Sequence, residues 1–339
     1  MATMKDVARL AGVSIATVSA TVNRSAFVSP ALRQRVSDAI HQLGYAPDGV
    51  ARSLKRGRTQ LVGLIVADIT NSFFTELVHV IEAAIQGAGY SVLLCDTDED
   101  FEKERNYLNI LQTHRVDGVI LAPTGAASDY QGLKALGERL PLVLVDRALP
   151  ELGFDAVTVD SFAAAYAATS HLLDLGHRDV ATIAGPAHLG PAHDRLRGFR
   201  AALEDRGIQV RPDFIRSGSF REEEAMAAAQ ALLSGADRPS AVFVANNHMM
   251  IGVMRAIANL RLSCPKDVSV VGIDDFPWAN AFTPRLTVVR QPVEAIGRAA
   301  VRLLLERTAG EVQRPPVHHV LQPELMVRDS CAPYGGALR

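Results

Sequence analysis

The stretch from Met4 to Asn23, MKDVARLAGVSIATVSATVN, constrains the fold most, because it reads as two short helices joined by a tight turn. A three-helix core needs small apolar side chains, here Val7, Ala8, Leu10, Val13 and Val18. Gly12 permits the turn, and Ser14 can cap the second helix by accepting a backbone N–H. The pattern predicts a helix-turn-helix whose helix from Ile15 to about Val22 would lie in a DNA major groove.

The residues that follow support a third helix. Ser29 and Pro30 are typical of an N-cap and a first turn, and an apolar stripe of Leu32, Val36 and Ile40 runs along 31–43. A further short helix is predicted at 48–55 and ends in a basic run. Because many three-helix domains carry a Gly at such a turn, the motif alone leaves the function open.

Charge is distributed unevenly along the chain. Residues 1–60 hold nine Lys or Arg and three Asp, a net of +6, whereas the remainder holds 26 Lys or Arg and 34 Asp or Glu, a net of -8. A basic head suits a polyanion, and its binding would fall steeply with salt. The alternative is a solvated basic surface.

A chain of 339 residues can build two or three domains with substantial cores. No apolar run reaches the length of about 18 residues that spans a bilayer, and MATMKDVARL does not read as a signal peptide, so we expect a cytoplasmic protein. Cys95, Cys264 and Cys331 are isolated, which favours neither a disulfide framework nor a zinc site. No cofactor is expected.

From Gln60 onward, apolar strands alternate with amphipathic helices, which is typical of parallel sheets covered on both faces. Two sets of strands predict two lobes, with the ligand expected in the cleft between them. The predicted strands are 61–67, 90–95, 118–122, 142–145 and 156–159, then 180–184, 241–245, 268–273 and 286–289.

The order and spacing of several motifs resemble those of the lactose-repressor/galactose-repressor (LacI/GalR) family of bacterial transcription regulators. The motifs are KDVARLAGVS, VSPALRQRV, LGYAPDGVARSLKRGRT, VGLIVADITNSFF, GHRDVATIAGP, RLRGF, VFVANN and DVSVVGIDD, and they cover nearly the whole chain. The resemblance implies an all-α helix-turn-helix head and an α/β two-lobed core, with periplasmic-binding-protein-like parallel sheets that carry helices on both faces.

The resemblance also implies domain bounds. Residues 1–58 would be the DNA-binding domain with a hinge helix at 47–56, and 59–339 the core for effector binding and dimerisation. Three crossings between lobes are expected near residues 161, 290 and 322. The N-lobe would hold about 60–161 and 291–322, and the C-lobe about 162–290 and 323–339.

In the head, the phosphate or sugar contacts are expected from Ser14, Thr17, Ser19, Asn23 and Arg24. The family reads bases mainly from the positions of Ile15, Ala16 and Ala20, which are apolar here and can contact only thymine methyl groups. In the hinge, Leu54 matches the family leucine that enters the minor groove, and Arg52 and Lys55 match the flanking pattern. The alternative for this segment is a linker helix whose Leu54 packs on the body.

In the core, the resemblance implies a ligand site for a small molecule. Sugar-binding members hydrogen-bond ligand hydroxyls with residues matching Arg195, Asn246 and Asp274, and place side chains against the ligand at Phe73, Phe74 and Phe220. Asp146, Arg147 and Asp160 are expected at the same rim. Taken singly, each has an ordinary alternative as a surface ion pair or a core residue.

Departures from the family pattern bear on the effector. Leu189 and Pro191 replace polar residues that purine-binding relatives use, which favours a sugar or polyol, and Asn247 stands where many relatives have Asp. Two guanidinium groups, Arg147 and Arg195, leave an acidic or phosphorylated sugar open. A regulator that responds to purines or to a co-protein is the alternative within the family.

Two other classes compete. An α/β enzyme is disfavoured because GxGxxG after a strand, GxxxxGK[ST], HExxH and GxSxG are lacking, and His177, His188 and His193 have no metal-ligand spacing. A secreted solute-binding protein would need a signal peptide in place of the head.

We expect a homodimeric regulator, most often a repressor in this family, on a palindromic operator. The tail PYGGALR lacks the heptads of family tetramers.

Overall fold

In a computed structural model, the chain divides into two units, Met1–Gln60 and Leu61–Arg339. The structure describes residues 2–23, 26–45, 58–130, 133, 137, 140–310 and 315–335. In the head these include three helices, α1 (Met4–Ala11), α2 (Ile15–Asn23) and α3 (Pro30–Leu43).

The turn between α1 and α2 forms as the sequence predicts. Gly12 adopts a left-handed φ of 60°, and its N–H reaches the carbonyls of Ala8 and Arg9. Ser14 Oγ accepts the backbone N–H of Thr17 at 3.0 Å and so caps α2. Ser29 precedes α3, but its side chain makes no capping bond.

The head core is small and differs from the prediction at one position. Its buried side chains are Val7, Ala8, Ala11, Val18, Val36 and Ala39. Leu10 was predicted there, which is wrong, since its side chain is 46% exposed. At about 100° per residue, Ala11 lies between Val7 and Ala8 on the helix face, whereas Leu10 falls outside that face.

The N-lobe contains a parallel sheet of six strands, β1 (Leu61–Val66), β2 (Ser91–Asp96), β3 (Gly118–Leu121), β4 (Leu142–Val145), β5 (Asp155–Val159) and β11 (His318–Leu321). The strand order in this sheet is β11-β5-β4-β3-β1-β2. Helices α4 (Ser72–Gly87) and α10 (Val293–Ala309) cover one face, and α5 (Phe101–Thr113) covers the other. Burial on both faces explains the continuous apolar runs of the strands.

The C-lobe contains the second sheet, with strands β6 (Val180–Ala184), β7 (Ile215–Ser217), β8 (Ala241–Val244), β9 (Ser269–Ile273), β10 (Thr287–Arg290) and β12 (Glu324–Met326). The strand order is β12-β10-β9-β8-β6-β7, and β12 alone pairs antiparallel among the described strands. Its helices are α6 (Ser161–Asp174), α7 (Gly190–Glu204), α8 (Glu222–Leu233) and α9 (Asn247–Asn259). Short 3-10 turns lie at Ala127–Tyr130, Pro150–Leu152, Pro212–Phe214 and Pro277–Asn280.

The chain passes between the sheets after β5, after β10 and between β11 and β12. The predicted fold class is confirmed, and every predicted strand is present to within one residue at each end. Strands β7, β11 and β12 were not predicted. Within the described ranges, no helix has the length and apolar character needed to cross a membrane.

Candidate functional site

The start of α2 presents four of the predicted DNA-contacting side chains. Ser14, Ile15 and Ala16 are exposed, and Ile15 keeps 45% of its surface accessible although it is apolar. Thr17 is half-buried, and its hydroxyl lies 2.9 Å from that of Ser14. An exposed apolar pair at the start of a recognition helix is available for contact with base methyl groups.

The second half of α2 is less accessible. Ser19, Ala20 and Asn23 are half-buried, and the Asn23 amide donates to the Ser19 carbonyl at 2.9 Å. The predicted contacts Arg24, Arg52, Leu54 and Lys55, and the hinge helix at 47–56, lie outside the described residues.

Arg35 supports the turn, a role that no sequence pattern indicated. From α3, its guanidinium donates to the carbonyls of Ala11 at 2.6 Å and of Gly12 at 3.3 Å. These carbonyls belong to the C-terminal end of α1, where a cation is favourable. Arg35 therefore ties α3 to the end of α1 at the turn.

A cleft between the two lobes gathers the predicted effector residues. It is lined by Asp68, Asn71, Phe73, Phe74, Glu99, Asp146, Arg147, Pro191, Arg195, Phe220, Asn246, Asp274 and Gln291. Most of these residues follow the carboxyl end of a parallel strand, which is where open α/β sheets bind ligands.

On the N-lobe side, Arg147 is held by carboxylates. Its guanidinium makes two bonds to Glu99, at 2.7 and 2.6 Å, and a third to the Pro123 carbonyl at 2.9 Å. Asp146 lies 3.3 Å from its Nε. Burial raises the pKa of Asp146, although the neighbouring Arg147 charge opposes that shift.

On the C-lobe side, Arg195 is buried but only partly satisfied. Its Nη1 donates to the Ala245 carbonyl at 2.7 Å, while its Nε is buried with no hydrogen-bond partner among the described residues. The guanidinium carbon lies 5.9 Å from the centre of the Phe220 ring. A buried cation with an unused donor is a strong attachment point for a ligand oxygen.

Asn246 and Asp274 are positioned by the ends of β8 and β9. Asn246 Oδ1 accepts the Met249 N–H at 2.9 Å and so caps α9, and Asn246 also lines the cleft. Asp274 Oδ1 accepts from Gln291 Nε2 at 2.6 Å. Phe73 and Phe74 form an edge-to-face pair, with ring centres 5.0 Å apart.

The predicted set meets in the cleft with one exception. Asp160 does not line it, because its carboxylate accepts the Ala163 N–H at 2.8 Å and caps α6. Prediction from sequence missed Asp68, Asn71 and Glu99. Their position just after β1 and β2, at the sheet edge that binds ligands, was the signal available for them.

The cleft is acidic and narrow. Four carboxylates, of Asp68, Glu99, Asp146 and Asp274, face two guanidinium groups. The free volume inside is about 30 Å³, well below the roughly 150 Å³ of a cavity that binds benzene. Neither in the cleft nor elsewhere in the described ranges is a group of three or more His, Cys, Asp or Glu arranged for a metal ion.

Two family models match the chain: bacterial regulatory proteins of the lacI family over residues 3–48, and a periplasmic binding protein-like domain over residues 169–331. The HTH-type transcriptional repressor PurR of Vibrio vulnificus (strain CMCP6) is 36% identical over 97% of this chain and 98% of its own length. The chain belongs to the LacI family.

Other LacI-family members agree with this assignment. The ribose operon repressor of Escherichia coli (strain K12) is 38% identical over 97% of this chain and 100% of its own length. A structure of the lac repressor dimer bound to operator and the anti-inducer ONPF superposes with a TM-score of 0.86, at 28% identity, over 98% of this chain and 99% of that one.

Membership of the LacI family confirms the predicted class of function. The chain is a DNA-binding transcriptional regulator with a ligand-binding core, and members of its family bind operator DNA and small-molecule effectors and act as dimers. The named relatives are repressors, which are not enzymes.

Proposed function

We propose that this chain is a homodimeric repressor whose affinity for a palindromic operator is controlled by a neutral sugar bound between the core lobes. The observation that carries the proposal is the buried Arg195 guanidinium, which keeps an unused N–H in a cleft lined by carboxylates and aromatic rings. Carboxylates accept hydroxyl protons, Arg195 donates to hydroxyl oxygens, and the rings offer flat apolar surface.

The charge of the cleft favours a neutral ligand over an acidic or phosphorylated sugar. The sequence left that alternative open because it offers two guanidinium groups. Arg147 is already bound by Glu99 through two hydrogen bonds and lies beside Asp146, so its charge is neutralised and an anion would depend on Arg195. An anionic ligand would face four carboxylates in a space of low dielectric, where repulsion between like charges is large.

A purine is the second candidate, because one relative is named PurR and is nearly as similar as the ribose operon repressor. The edge of a purine needs side-chain donors and acceptors. Pro191 lines the cleft without either, and Leu189 is buried outside the lining. A sugar, whose hydroxyl groups match Arg195, Asn246 and Asp274, is therefore the better fit.

Regulation follows from differential affinity. Two heads on a two-fold dimer read half-sites, and Leu54 of each hinge would enter the minor groove. An effector that prefers one arrangement of the lobes shifts the population toward it and changes whether the hinges can pack on DNA. The regulator works on operator DNA in the cytoplasm. We favour induction, in which bound sugar weakens operator binding.

The effector is tested by thermal unfolding of the full chain with D-ribose, other neutral sugars, sugar phosphates, sugar acids, hypoxanthine and guanine. A ligand of the folded state raises the melting temperature by mass action. We expect a neutral sugar to raise it in the wild type and not in Arg195→Ala. If a purine or a sugar phosphate raised the melting temperature while neutral sugars left it unchanged, the proposed ligand class would be overturned.

Operator binding is tested separately by fluorescence anisotropy on a palindromic duplex. Leu54→Ala should weaken binding and leave sugar affinity unchanged, since Leu54 is expected to contact DNA and not the effector. Absence of any sequence-selective, salt-sensitive binding would contradict the regulator itself.

A further inference from the structure

Asn247 makes hydrogen bonds from one lobe to the other. It is the first residue of α9 in the C-lobe, and only 2% of its surface is exposed. Its Nδ2 donates to Asn71 Oδ1 at 2.8 Å and to Ser72 Oγ at 2.7 Å, both at the start of α4 in the N-lobe. An aspartate here could not donate to Asn71, so the departure from the family pattern at this position has a structural consequence.

The Asn71 side-chain oxygen cannot leave this contact without losing a second hydrogen bond. It also accepts the Phe73 N–H at 2.9 Å, which caps α4. Rotation of the Asn71 amide would therefore leave a helix N–H unsatisfied. The Asn247 oxygen in turn accepts the His248 N–H at 2.7 Å, which fixes which of its atoms faces the N-lobe.

Arg221 makes a second cross-lobe contact at the edge of the cleft. From the C-lobe its guanidinium lies 2.7 Å from Asp98 Oδ1, donates to the Asp98 carbonyl at 2.9 Å, and lies 3.8 Å from Asp68. The Arg221 and Asp98 side chains are 37% and 52% exposed, so this pair contributes less than the buried amide of Asn247.

Both loops that meet at Arg221 also carry a cleft residue. Phe220 precedes Arg221 and Glu99 follows Asp98, and both Phe220 and Glu99 line the cleft. Ser219 and Phe220 have φ values of 50° and 59°, and Asp98 and Glu99 of 53° and 59°. Left-handed non-glycine residues persist only where surrounding contacts hold them. The Arg221 to Asp98 contact thus positions two cleft residues.

We propose that Asn247 and Arg221 form a clasp, with Asn71, Ser72 and Asp98 as its N-lobe partners, that keeps the lobes closed before effector arrives. The cleft then has too little free volume for a sugar ring, so the clasp must open for a ligand to enter. Asn247 and Arg221 tune effector binding without lining the site. The effect on effector rests on the proposed function, whereas the closed state of the free protein does not.

Amide hydrogen exchange of the full chain without any ligand tests the clasp. Asn247→Asp and Arg221→Gln change the C-lobe, and the readout is exchange in the N-lobe segments 68–75 and 97–101. We expect exchange there to be about two- to tenfold faster, with the larger change for Asn247→Asp. Asp98→Asn should speed exchange at 217–222 in the C-lobe, and combining it with Arg221→Gln should add little.

Matched controls keep the test sharp. Asn259→Asp makes the same change at the exposed end of α9, and Arg255→Gln removes an arginine that pairs with Glu222 and Glu223 inside the C-lobe. Neither should alter N-lobe exchange, and β1 (61–66) should stay protected in every variant. Unchanged exchange at 68–75 and 97–101 in both clasp variants would overturn the clasp. Acceleration in the controls, or in β1 as well, would overturn it too, because the effect would then be general loosening.

Discussion

Gly185→Ala is the substitution that should separate effector binding from DNA binding most cleanly. Gly185 follows β6 under the Phe220 ring, and a Cβ there would lie 2.2 Å from Phe220 Cε1, 2.4 Å from Cζ and 2.9 Å from Cδ1. Carbon atoms in contact prefer about 3.5 to 4.0 Å, so the ring must retreat by more than about 1 Å. The left-handed backbone at Ser219 and Phe220 limits how the loop can follow.

The size of the effect follows from this overlap. Overpacking of a well-filled site costs about 1 to 3 kcal/mol. If effector binding needs the ring where it now lies, a cost of this size lowers effector affinity by about 5- to 150-fold. Operator affinity without effector should stay within about twofold of wild type, since the head is untouched.

The assay is calorimetry with the sugar found by thermal unfolding, followed by anisotropy on the operator. Gly190→Ala is the matched control, because a Cβ at Gly190 in the same lobe meets nothing within 4 Å. Wild-type effector affinity in Gly185→Ala would refute the role given to the Phe220 ring. Equal loss in Gly190→Ala would refute the steric reasoning.

Three further predictions concern the head and the N-lobe. Gly12→Ala should weaken operator binding and destabilise the head by about 1 to 2 kcal/mol in thermal unfolding, because φ is 60° and the new Cβ would lie 2.7 Å from Arg35 Nη2. Tyr130→Phe should lower the free energy of unfolding in urea by about 1 to 3 kcal/mol, since the Tyr130 hydroxyl accepts the buried Thr124 N–H and the half-buried Gly125 N–H, each at 3.0 Å. Burial raises the pKa of Glu104 above 4.5 in the folded protein. The folded state therefore keeps a proton that the unfolded chain releases, and wild type should lose stability relative to Glu104→Gln as the pH rises above 4.5 in urea titrations.

Buried central strands were predictable because their apolar runs reflect burial on both faces. Strand β12 was not, since its three residues are partly exposed and their pairing with β10 depends on a partner distant in sequence. Strand β11 alternates exposed and half-buried residues at a sheet edge, so its apolar signal is weak. Local pattern finds apolar strands, including the edge strand β2, and misses short or weakly apolar strands that extend an edge.

The residues of the cleft could be predicted through family resemblance, but the hydrogen bonds and ion pairs between them could not. The sequence offered two guanidinium groups of equal standing, and only the fold shows Glu99 binding one of them. Asp160 illustrates the reverse error, because an Asp before a helix serves equally as a cap or as a ligand contact. The clasp could not be predicted from the sequence at all, because Asn71 and Asn247 lie on different lobes and their hydrogen bond is visible only in the folded structure.

The operator dissociation constant, measured by anisotropy at one fixed salt concentration with and without saturating sugar, tests the central claim most directly. We predict that sugar weakens operator binding by about 5- to 150-fold in wild type and leaves Arg195→Ala unchanged. If wild type bound the operator equally well in both conditions while calorimetry showed the sugar bound, the coupling between cleft and head would be contradicted.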